Sequence, residues 1–148
     1  MTDQPAVIRV LITGSRDWDQ ADELCEALLN TWHDATQIHG ANAKLVVVHG
    51  ACPTGADHIA DDWARRQAAR SPLVEVEQHR AQDFGPWPAA GPRRNKHMVE
   101  LGANVCLAFI APCAKPRCPR PAPHPSHGAS GCADLAEKAG IPVRRFTA

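Results

Sequence analysis

Apolar residues fall along the chain in two alternating patterns. Short runs rich in apolar and β-branched residues, Val7 to Ile12, Leu45 to Val48, Leu73 to Gln78, Asn104 to Ile110 and Ile141 to Phe146, read as strands. Between them the apolar positions recur every three or four residues: Leu24, Ala27, Leu28 and Trp32; then Ala56, Ile59, Ala60, Trp63 and Ala64; then Met98, Val99 and Leu101; then a stretch from about Gly131 to Ala139. That spacing predicts helices with one buried stripe. Pro92 suits the first turn of the third helix, and Gly102 and Gly140 suit the ends of the third and fourth. Leu45 to Val48 has no polar interruption, so it should be buried on both faces, as in a parallel sheet. Strict alternation of strand and helix predicts one α/β domain over residues 1–148. Its three layers would enclose a mostly parallel sheet of about five strands.

Such sheets bind ligands where loops leave the carboxyl ends of the strands. The polar loops of this chain all lie at that edge. Gly14-Ser15-Arg16 follows the first strand and Gly50 to Asp57 the second. Asp83 and Gly91 to Asn95 follow the third, and Ser126 to Gly131 the fourth. Four turns far apart in sequence are therefore expected to meet around something negatively charged. Gly50 and Gly55 bracket a turn into a helix, where backbone N–H groups favour an anion, although an ordinary βα turn reads the same way. Thr54 is placed as an N-cap. Asp57 either completes a capping box or accepts a ribose hydroxyl. Arg16 can grip a phosphate bidentately beside Ser15. Arg93 and Arg94 stand in the first turn of a helix, where the macrodipole disfavours each by about 0.3–1 kcal/mol. An anion would reverse that sign, and Arg94 with Asn95 is the favoured contact. Trp18 and Trp87 lie in loops near the same edge and could stack on a base or close a core.

Composition narrows the function classes. Formal net charge is zero, with 22% charged residues, so no global field draws the chain to nucleic acid or an anionic membrane. No stretch is apolar over a bilayer's width, and the first ten residues lack a signal-peptide pattern, so a cytoplasmic protein is expected. Cys25 and Cys106 fit a helix and a strand as small buried hydrophobes. Residues 111–130 form a Pro-rich insertion carrying Cys113, Cys118, His124 and His127 in the order C-x4-C-x5-H-x2-H. All four are sound zinc ligands, which makes a structural zinc one expectation and a Pro-rich lid the other.

Three motifs, GSRDW near the start, VVHGACPTGADHIADDWA, and AGPRRNKHM, together resemble the YspA/YpsA-related branch of the SLOG (Smf/DprA–LOG) superfamily. The resemblance spans nearly the whole chain. It implies a Rossmann-like domain that binds a nucleotide or nucleotide-derived molecule through Gly14, Ser15, Arg16, Gly50, Gly55, Asp57, Gly91, Arg94 and Asn95. Its phosphoribohydrolase members cleave an N-glycosidic bond with a glutamate one turn after a Gly-Thr pair. Here Cys132 stands for that threonine and Leu135 for the glutamate, while Asp134 is one position off and on another helix face. The expected function is therefore a binding or sensing module. The alternative is a hydrolase using Asp57 or Asp83 to polarise water. Nucleic-acid binding through Lys115, Arg117, Arg120, Arg144 and Arg145 is the weaker third reading, given net neutrality. The sequence leaves the oligomeric state open; the resemblance makes a homodimer one expectation, since related proteins often pair through helices.

Overall fold

Strand β1 (Val7–Gly14) is the middle of the sheet because seven of its eight residues lose most of their contact with water. It is flanked by β2 (Lys44–His49) on one side and β4 (Val105–Ile110) on the other. Strands β3 (Val74–Gln78) and β5 (Val143–Thr147) form the edges, giving the order β3-β2-β1-β4-β5. Every neighbouring pair is parallel, with Val10 beside both Val47 and Val105 in register. The computed structural model describes residues 5–113 and 127–147. Among them no helix is long and apolar enough to cross a membrane.

Helices α1 (Ala21–His39) and α2 (Gly55–Ala68) cover one face of the sheet; α3 (Ala90–Leu101) and α4 (His127–Lys138) cover the other. The alternation along each strand decides which side chain goes where. Ile8, Val10 and Ile12 of β1 meet Leu24 and Leu28 of α1 and Ala60 and Trp63 of α2. Leu11, between them, turns to Met98 and Val99 of α3 and to Cys132 and Ala136 of α4. The result is a three-layer, Rossmann-like α/β fold, as the strand and helix pattern predicts.

Two local expectations are corrected, and one open alternative, the role of Trp18, is decided. Helix α4 starts at His127 rather than near Gly131. Two glycines in its first five residues disfavour helix by about 1 kcal/mol each. Buried Ala129, Cys132, Ala133 and Ala136 recur at helical spacing and offset that cost by packing on the sheet. Leu101, expected on the apolar stripe of α3, is half exposed in the last turn. Trp18 closes the core: it is 2% exposed, tilts against Phe109 at 5.4 Å and donates its indole N–H to the Gln20 carbonyl.

Candidate functional site

The order of the sheet reverses between β1 and β4, and the loops leaving these strands are stitched together. Ser15 donates its backbone N–H to the Phe109 carbonyl at 2.9 Å, and its hydroxyl accepts the Ala111 N–H at 2.8 Å. Ser15 in turn offers its carbonyl to Ala56 N–H at 3.2 Å, which ties the β1 loop to the first turn of α2. Two glycines make that approach feasible. A Cβ on Gly14 would collide with the Ala56 Cβ, and one on Gly55 with the Ser15 and Arg16 backbone. Gly55 also has φ +73°, in the left-handed region that glycine enters without steric cost.

The loop between β2 and α2 is built differently from the capping box expected of it. Thr54 occupies the N-cap with extended dihedrals but makes no side-chain cap bond. Asp57 is buried and takes the Cys52 N–H on Oδ2 at 3.2 Å, with a further backbone bond from Gly50. Burial raises its pKa, while the loop amides and the Arg94 charge pull the other way. His49, 1% exposed, accepts the Ala51 N–H on Nδ1 at 2.9 Å, which leaves Nε2 to donate to Asp61 Oδ1 at 2.8 Å. Asp61 also takes the Arg65 Nε–H at 2.7 Å. Ala51 is thereby held at φ +59°. The N–H groups of Ala51, Cys52 and Ala56 are thus satisfied within the protein, so positive side chains carry more of any attraction for an anion than the turn's sequence suggests.

Two such side chains converge here. Arg94 of α3 donates from Nη1 to the Gly50 carbonyl and from Nε to Asn95 Oδ1 at 2.8 Å. Its guanidinium lies where a Gly50 side chain would be. Arg16 is exposed, with its guanidinium 5.3 Å from the centroid of the Trp87 ring. That ring leans its six-membered edge over Gly91, one turn before Arg94. Arg16 thus contacts Trp87, whose ring borders Gly91 in the first turn of α3, while Arg94 of the same helix contacts Gly50. Arg93 points elsewhere, exposed, toward the Phe84 carbonyl at 3.4 Å.

Cys132 of α4 forms the floor near Thr13, its thiol pKa raised by burial and lowered by the Thr13 hydrogen bond and the Arg94 charge. Asp83 is exposed on the 3-10 turn Ala81–Phe84 and is not buried with Asp57. Asp134 is engaged by Arg145 at 3.1 Å on the outer side of α4, and Leu135 is 38% exposed. His49, Asp61 and Thr13 escaped the sequence reading. The available signal was a histidine closing a buried apolar strand, with an acid twelve residues on.

The structural zinc expected at Cys113, Cys118, His124 and His127 is corrected. Among the described residues no three His, Cys, Asp or Glu side chains come close enough to hold a metal ion. Cys118, His124 and the His127 side chain lie outside the described residues, and Cys113 stands half-buried just beyond β4.

A family model described as YspA, cpYpsA-related SLOG family matches residues 8–81, half of the chain. The Gene 61 protein of Mycobacterium phage D29 is 41% identical over 138 residues, spanning 93% of this chain and 95% of that protein. No solved structure matches. The matched stretch contains the β1 loop, the Gly50–Asp57 loop and the His49–Asp61 pair.

Proposed function

The chain belongs to the YspA, cpYpsA-related SLOG family, whose members have a nucleotide-related binding role, and from that premise we propose that it is a binding or sensing module for a nucleoside monophosphate or a derivative of one. Phosphate sits between Arg16 and Arg94, above the Gly50–Gly55 loop. Asn95 steadies the Arg94 guanidinium, and Asp57 acts by fixing the loop from beneath. The observation that supports this reading is the pair of contacts at the loops, Arg16 over the Trp87 ring that borders Gly91 at the start of α3, and Arg94 of the same helix on the Gly50 carbonyl. Guanidinium groups at a rim of buried glycine turns recognise phosphate bidentately.

Binding is favoured over glycosidic hydrolysis by the carboxylates. Asp57 already accepts two loop amides, and Asp134 is spent on Arg145. Asp83, the other candidate base, is exposed on its 3-10 turn rather than buried beside the loop. Calorimetry with AMP and ribose 5-phosphate tests the proposal. Both should bind the wild-type chain, and Arg16→Ala should weaken each by about tenfold, the worth of one charge-assisted contact of about 1.5 kcal/mol. No heat at millimolar ligand, or free adenine appearing by chromatography, would overturn it.

A further inference from the structure

We propose that Trp87 is the base platform of this site and selects nucleotides with a large aromatic base; the proposal rests on the phosphate reading above. The chain has four tryptophans, and their surroundings separate them. Trp18 and Trp63 are 2% and 5% exposed, and Trp32 packs edge-on against Trp63 at 6.4 Å. These three close the α1–α2 face of the core. Of the four, Trp87 is largely open, at 65% exposure, so its indole is within reach of a flat ligand.

Its position specifies what that something is. The indole touches two residues of the proposed phosphate rim, Arg16 through a cation–π contact and Gly91 through its six-membered edge. Gly91 is buried, and a Cβ there would stand only 3.3 Å from the ring, so the absence of a side chain lets the indole settle at the start of α3. A phosphate held by Arg16 and Arg94 therefore has an open aromatic surface beside it, about where a nucleotide carries its base. The Arg16 guanidinium over the ring occupies part of that surface with the same geometry that a flat base would use. Phosphate draws the guanidinium toward the loops, and the base takes its place on the indole. Stacking tolerates any base but favours the larger π-face, so purines should exceed pyrimidines.

The test compares AMP, CMP and ribose 5-phosphate by calorimetry on the full chain and on Trp87→Ala and Trp87→Phe. AMP should bind the wild type about tenfold tighter than ribose 5-phosphate, with CMP between. Trp87→Ala should erase that advantage, so that AMP binds no tighter than ribose 5-phosphate; Trp87→Phe should keep most of it. Tryptophan emission of the wild type should be quenched by AMP and not by ribose 5-phosphate, a readout that needs no variant. Equal affinity of the wild type for AMP and ribose 5-phosphate, or an AMP advantage that survives Trp87→Ala, overturns the platform and leaves the phosphate reading standing. Failure of both ligands to bind overturns the two together.

Discussion

His49 shows how much one buried side chain can organise. Its Nδ1 bond to Ala51 N–H and its Nε2 bond to Asp61 join the end of β2 to the middle of α2 and fix the backbone on which Gly50 and Cys52 hang. The two bonds can be separated by substitution. Asparagine presents an oxygen near the Nδ1 position; glutamine presents an amide near Nε2. His49→Gln should leave the Ala51 N–H without its acceptor and cost about 1–3 kcal/mol. His49→Asn should keep Ala51 protected, so hydrogen exchange at that amide distinguishes the variants and denaturant melts give the cost. Asp57 behaves oppositely. Burial raises its pKa, so the charged form costs stability once pH exceeds the folded value, and stability is greatest below the unfolded pKa. Asp57→Asn should therefore melt no lower than wild type at neutral pH while binding AMP more weakly, measured by thermal denaturation beside calorimetry.

The elements were legible where packing and propensity agree. The five strands and the apolar stripes of α1 and α2 follow directly from the pattern, because burial on one or both faces leaves a periodic trace. The start of α4 was not legible, since glycines read as loop until the buried alanines opposite them are known. The loop after β2 was half legible: its glycines marked a close approach, but nothing local distinguishes an aspartate that caps a helix from one that reaches back to Cys52. Trp87 and Trp18 look alike as loop tryptophans, and only tertiary contact sends one to the core and the other to the rim. The close approach itself gives a prediction. Gly55→Ala combines a left-handed φ with overlap on the Ser15 and Arg16 backbone, so it should destabilise the chain by roughly 2–4 kcal/mol. Gly40→Ala, with φ +101° but open space around it, should cost less in a parallel urea titration, because only the dihedral penalty applies.

On the scale of the whole molecule, the part of the α3 face that α3 leaves uncovered is closed by charge. Arg9 on β1 reaches Glu77 on β3 through paired bonds of 2.8 Å, and His79 meets the same carboxylate at 2.8 Å. Lys44 pairs with Glu75 at 2.6 Å alongside. The Arg9 hydrogen bonds hold the Glu77 pKa at about 2, against 4.5 for a free side chain. A lowered folded pKa means that this stabilisation is complete above about pH 4.5 and is lost as pH falls toward 2. Glu77→Gln should cost about 1 kcal/mol at neutral pH, allowing for solvent screening, and should flatten the acid limb of a stability profile in that window.

The same charges bear on how copies of the chain meet. Among the described residues both outer strands have one backbone rim with no neighbouring strand, one strand bearing Glu75 and Glu77, the other Arg144 and Arg145. Opposite signs on opposite borders would invite head-to-tail zippering into an open fibre. Each border instead discharges inward: the glutamates onto Lys44 and Arg9, Arg145 onto Asp134 and Glu137, and Arg144 over the Phe146 ring. With those charges paired inside the protein, one copy's acidic border has less electrostatic pull on another copy's basic one.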